Sequence, residues 1–170
     1  MRRFGSKAAE RAYERSNLIL QLDYVPSNEA RHLTSKLLAV DPPLRGGVSQ
    51  ELIDRLVSEL KVPEVRVRFL DRPQKHSRKD GKLTYKEYAH YDPEGSITIY
   101  NKTAVREKHL ASKAYLDTLI HEFLHHLDYE LLQLSHTYHT KGFYSRLGDM
   151  LAKLRNLAPR QQDFFSRRQE

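Results

Sequence analysis

Apolar residues recur every third or fourth position along much of this chain, and that period predicts helices over residues 6–22 and 27–40. The second opens at Pro26-Ser27, sets Ala30, Leu33, Leu37 and Val40 near one face, and ends at Asp41-Pro42-Pro43. Leu44, Arg45, Gly46 and Gly47 continue as a linker. Ser49 is then placed to cap a helix carrying Leu52, Ile53, Leu56, Val57 and Leu60, which Pro63 closes. There the period changes to two. Val65, Val67 and Phe69 alternate with Arg66, Arg68 and Leu70 as in a half-buried strand. The breaker-rich, basic stretch 72–82 reads as an exposed loop. Two further strands, at 84–91 and 96–100, flank the turn Asp92-Pro93-Glu94-Gly95 and form an antiparallel hairpin. A helical run holding Arg106, Glu107 and His109 leads into a long helix over 113–134, and a polar connector at 135–140 precedes a last helix. Thr140 caps that helix, whose stripe is Phe143, Leu147, Met150, Leu151 and Leu154. The fold class expected is α+β: a small three-stranded sheet packed on two helices. Residues 1–47 form a helical N-terminal extension, 48–158 the main domain and 159–170 a polar tail.

The long helix carries His121-Glu122-Phe123-Leu124-His125, which reads H-E-x-x-H. Residues four apart on a helix share a face, so His121 and His125 can aim two imidazoles at one metal ion. Glu122, about 100° further round, can address a water bound to that ion. Leu116, Leu119, Ile120, Phe123, Leu127, Leu131 and Leu134 keep the helical period and place the motif on an amphipathic helix.

A hydrolytic zinc site takes three protein ligands and keeps one position for water. Glycine at 128 and histidine at 131 would mark a metzincin, but the chain has Asp128 and Leu131. Glu130 faces away from His121, and His126 lies off the ligand face. His139 is the preferred third ligand, because it directly precedes the last helix and swings from a fixed anchor. His136 and Asp128 are the alternatives, with Asp128 better suited to support a ligand than to be one. Tyr144, Arg146 and Tyr129 are candidates to stabilise an oxyanion. His32, His76, His90 and His109 lack ligand spacing and are expected in solvent.

His121-Glu122-x-x-His125 followed by His139-Thr140-Lys141-Gly142-Phe143 distantly resembles the SprT-like (Spartan-type) zinc metallopeptidases, whose pattern is H-E-x-x-H, a variable gap, then H-G-x-x-F at the next helix start. The third histidine falls on His139 and the aromatic on Phe143, while Thr140 stands at the glycine position. The resemblance covers about residues 95–155. It implies a minimal zincin-like fold for 48–158, Zn2+ held by His121, His125 and His139, and Glu122 as general base in peptide-bond hydrolysis. It also implies a protein or peptide substrate, laid along an edge strand for which 96–100 is the natural choice.

Composition narrows this picture. Hydrophobic residues make up 39% and charged residues 30%, a globular balance. No apolar run approaches a membrane span, and the N-terminus lacks a secretory h-region, so a cytoplasmic location with no membrane partner is expected. With no cysteine, a metal must rely on His, Asp or Glu. The net charge of +7 suits polyanions, and Arg72, Lys75, Arg78, Lys79 and Lys82 in the 72–82 stretch are the candidate DNA or RNA contact. The competing expectation is a nucleic-acid-associated binding or regulatory module whose zinc is structural or inactive. There, Asp128 or His136 would close the fourth position.

Overall fold

The computed structural model describes residues 5–134 and 136–157, so the expected tail at 159–170 lies outside the described residues. Serines and threonines start the helices. Ser6 caps α1 (Lys7–Leu18) by accepting from Ala9 N, and Ser27 caps α2 (Asn28–Ala39) by accepting from Ala30 N at 3.1 Å. Thr140 caps α5 (Lys141–Leu154) by accepting from Phe143 N at 3.0 Å, as the sequence predicts.

α3 (Arg45–Leu60) begins earlier than expected. Pro42, Pro43 and Leu44 form a 3-10 turn that feeds it, so Arg45, Gly46 and Gly47 are helical. Ser49 lies one turn inside and donates to Arg45 O rather than capping the helix. Gly46 faces Phe69, and a Cβ there would lie 2.9 Å from the Phe69 ring, so this glycine serves close packing rather than a linker. Arg45 is buried, donates to Asn101 Oδ1, Leu110 O and Ser112 Oγ, and lies over the Tyr115 ring. It thereby ties the starts of α3 and α4 (Ser112–Glu130) together.

The main sheet has three strands in the order β1 (Arg66–Pro73), β5 (Ser96–Lys102), β4 (Ala89–Asp92). β1 runs parallel to β5 with Val67 opposite Ile97 and Phe69 opposite Ile99, and β4 is antiparallel to β5 with Tyr91 opposite Ile97. The hairpin across residues 92–95 therefore forms as expected. The strand at 96–100, however, is central and not an edge. Ile97, Thr98, Ile99, Tyr100 and Asn101 are all buried because the strand has a neighbour on each side and is covered on both faces. The outer edge of β1 is closed by Gln50 of α3, whose amide accepts from Val67 N at 2.7 Å and donates to Val65 O at 3.1 Å.

Two further expectations change. The stretch 72–82 is not a loop: β2 (Lys75–Lys79) and β3 (Lys82–Glu87) form an antiparallel ribbon closed by Asp80-Gly81, with φ of 52° and 74°. Both values lie in the left-handed region that a tight hairpin turn requires. The strand expected at 84–91 divides between β3 of this ribbon and β4 of the sheet. The helical run expected around Arg106 is a turn, in which Thr103 N donates to Lys108 O and Thr103 Oγ1 accepts from Lys108 N.

α4 packs on β4 and β5, with α2 and α5 against its other sides, α3 on β1, and α1 on α5. Leu116, Leu119, Ile120, Phe123, Leu124 and Leu127 of α4 are fully buried in a core shared with Leu37, Leu52, Ile53, Leu56, Ile97 and Ile99. This is a mixed α+β architecture of five α-helices and a small sheet among the described residues, and no helix of theirs is long and apolar enough to cross a membrane.

The central and peripheral strands should respond differently to truncation. Ile99→Ala on β5 should cost about 2–5 kcal/mol of unfolding free energy in urea. Leu83→Ala on the exposed ribbon should stay within about 0.5 kcal/mol. Equal losses would contradict this placement of the core.

Candidate metal centre

α4 projects His121 and His125 one turn apart, and the N-cap anchor of α5 returns His139 over them. Their Nε2 atoms converge: 2.9 Å between His121 and His139, 3.0 Å between His125 and His139, and 3.3 Å between His121 and His125. Each Nε2 has one in-plane proton or one lone pair, so three mutual contacts cannot all be hydrogen bonds. They do suit a shared cation. The circle through the three nitrogens has a radius of about 1.8 Å, so an ion about 2.05 Å from each would sit about 1 Å off their plane, as in a tetrahedral site with three imidazole ligands. These three histidines can hold a metal ion. Of the alternatives, His136 packs its ring near Tyr138 outside the cluster, and Asp128 lies behind it.

Phe143 floors the cluster, stacked on His125 with ring centroids 4.7 Å apart and edge-on to His121 and His139. This apolar wall and the packing of α4 set the electrostatics. Burial, then the charges of neighbouring histidines, pushes His121 down to about 4 and His125 down to about 3, and burial also lowers His139. Burial pushes Glu122 up to about 7 against the pull of a hydrogen bond from the Tyr91 backbone N–H. That contact places the Glu122 carboxylate beside β4.

The remaining candidates separate by position. Tyr144 stacks on His139 at 5.9 Å between centroids and keeps some exposure, so its phenol flanks the cluster. Tyr129 packs instead against Tyr91. Arg146 is not free to meet an oxyanion. It is fully buried, paired with Asp128 at 2.9 Å and bonded to Ser16 O and Ile19 O. His126 is also buried, not on the surface, between Pro63 O at 2.8 Å and the Tyr91 hydroxyl at 3.1 Å. His76, His90 and His109 lie at the surface, beside Gln74 O, Glu87 and Asp71.

Thr137 escaped the sequence reading. Its Oγ1 lies 2.7 Å from His125 Nδ1 and donates to Asp128 Oδ2 at 3.0 Å. The available signal was a hydroxyl in the connector between two histidines, with an acidic residue on the ligand face of α4. No family model, curated protein or solved structure matches the chain.

Because His121 and His125 are held below the ordinary histidine value, the folded metal-free protein binds fewer protons there than the unfolded chain. Their contribution to stability is present above about 6.5 and is lost as pH falls through about 4 and 3. Glu122 acts in the opposite sense, its contribution being lost as pH rises from about 4.5 through about 7. Metal uptake at pH 6 tests the histidines directly, using Glu122→Gln to silence the carboxyl. Well under one proton should be released per bound metal, whereas three ordinary imidazoles would release about two. Calorimetry in buffers of different ionisation enthalpy reads the number, and a value near two would overturn these environments.

Proposed function

We propose that this protein is a zinc-dependent metallopeptidase that hydrolyses peptide bonds of protein substrates, in a minimal zincin-like domain resembling the SprT-like enzymes. The observation that carries the reading is the convergence of three imidazole nitrogens beside a buried glutamate on the same helix. His121, His125 and His139 would hold zinc, which when bound polarises the scissile carbonyl and acidifies a water. Glu122, with a pKa near neutrality, is suited both to accept the proton of the attacking water and to return it to the leaving amine nitrogen. Tyr144 is the side chain best placed to donate to the carbonyl oxygen as it gains charge. The strand beside Glu122 is β4, so an extended substrate would add along β4 and not along β5.

The exposed ribbon β2–β3 supports a nucleic-acid contact near the same domain. Arg78, Lys79 and Lys82 gather about its turn, with Lys75 on the same ribbon. A ribbon of this charge would grip phosphates without reading bases. A binding or regulatory module with an inactive zinc site is the competing function, separated from the first by hydrolysis.

Glu122→Gln should retain one zinc per chain and the wild-type circular dichroism while losing cleavage of an unstructured protein such as casein by at least about 100-fold, the usual scale for a general base. Equal cleavage by the variant would remove Glu122 from the chemistry. Wild-type protein that binds zinc but cleaves nothing, with or without DNA, would favour the binding module.

The ribbon is tested separately. Lys75→Glu, Arg78→Glu and Lys79→Glu together should weaken duplex DNA binding and flatten its salt dependence, which should fall by about 0.9 log units per neutralised phosphate for each tenfold rise in salt. Zinc content should not change. Unaltered affinity in fluorescence anisotropy would leave the ribbon without this role.

A further inference from the structure

The cluster of three histidines is backed by a chain of polar contacts that runs away from it, through the protein interior, to the N-terminal helix. Thr137 Oγ1 has one proton and lies between Asp128 Oδ2, at 3.0 Å, and His125 Nδ1, at 2.7 Å. Both Asp128 oxygens already accept from Arg146 Nη2, at 2.9 and 3.1 Å. An ionised carboxylate only accepts, so the Thr137 proton goes to Asp128 and the hydroxyl is left as an acceptor toward His125. His125 must then carry its proton on Nδ1. The opposite tautomer would set two lone pairs against each other across 2.7 Å. Its lone pair therefore lies on Nε2, the nitrogen that faces His121 and His139.

Arg146 is held in turn by α1. Its Nη1 donates to Ser16 O at 2.8 Å and to Ile19 O at 2.6 Å, and its Nη2 to Ser16 Oγ at 3.1 Å. Ser16 Oγ also shares a hydrogen bond of 2.9 Å with Thr140 Oγ1, the residue after His139. α1 and α5 touch so closely here that a Cβ at Gly142 would lie 1.8 Å from Ser16 O. The end of α1 thus bears on the support of His125 through Arg146, and on the anchor of His139 through Thr140.

We infer that Thr137, backed by Asp128, Arg146 and the C-terminal turn of α1, is a positioning residue that sets the tautomer and aim of the metal ligand His125. The inference rests on the metal-binding reading of the three histidines. Partners of this kind commonly change metal affinity by about 10–100-fold.

The test uses the full chain and Zn2+ competed by a chromophoric chelator, with two-bond 1H–15N NMR to read the His125 tautomer in the metal-free protein. Wild type should show the Nδ1–H form. Thr137→Val, which keeps the shape and removes the hydroxyl, should raise the zinc Kd by about 10–100-fold at unchanged circular dichroism. Thr137→Ser should restore it to within a few-fold. Gly142→Ala, which displaces α1, should also raise the Kd when measured well below its melting temperature. Wild-type affinity in Thr137→Val, or an Nε2–H form in wild type, overturns the positioning role. A Gly142→Ala protein that melts earlier yet binds zinc as wild type does overturns the part assigned to α1. Wild-type protein that binds no zinc would defeat the metal reading itself, an outcome distinct from equal binding by wild type and Thr137→Val.

Discussion

Asp128 and Arg146 meet where neither side chain has any access to water. Moving two ions out of solvent costs several kcal/mol each, and their attraction offsets this only if their remaining lone pairs and N–H groups find partners. Here those partners come from four parts of the chain: the two ions from α4 and α5, Thr137 from the connector, and the carbonyls of Ser16 and Ile19 from α1 and its end. Burial pushes the Asp128 carboxyl above its ordinary value, while Arg146 and Thr137 pull it back. A shift in any one of the four segments would leave a buried charge short of a partner. The geometry around His125 and His139 inherits its definition from that requirement. Ordinary apolar packing, which tolerates sliding, would not impose it.

What could be read from the chain follows the range of the forces involved. α4, α5 and the strand around Val67 show in the hydrophobic period because each buries a face against a neighbour. Thr140 shows because capping is local. The pairing of His121 with His125 is a property of one helical turn, and His139 is legible because the residue after it starts a helix. The edge assignment fails for 96–100 because its second neighbour, β1, lies about thirty residues upstream and leaves no mark beside it. Its unbroken burial, Asn101 included, depends on that pairing. Arg146 reads as a solvent-facing cation of an α5 first turn; the acceptors that bury it are about 130 residues away in sequence. Thr137 sits in a connector with no period at all. The ribbon β2–β3 is different in kind. Asp80-Gly81 is a strong local hairpin signal, masked by the charge and breakers that surround it.

The centre is arranged as a charge deficit. Three imidazoles are kept neutral by the apolar wall that Phe143 and α4 provide, and one carboxyl is kept near neutrality with Glu87, a like charge, adding to the effect of burial. Every one of these shifts is of the sign that a positive ion would relieve. A cation among the nitrogens would draw Glu122 toward its ionised form, so ligand basicity and carboxylate basicity are coupled through one charge. The fold thus holds the site in the protonation state that favours metal entry, at the expense of some stability in the metal-free protein.

The main sheet has two outer strands, and each meets a polar side chain from a helix. Gln50 occupies the backbone groups of β1, and Glu122 reaches the Tyr91 N–H of β4. Open strand edges are templates for pairing between molecules, and an inward-pointing charge is one way proteins suppress it. Glu122 therefore guards against self-association as well as lying at the candidate site. Neutralising it would leave one edge of a small sheet less protected, so the solubility of the chain and the chemistry of its centre depend on the same carboxylate.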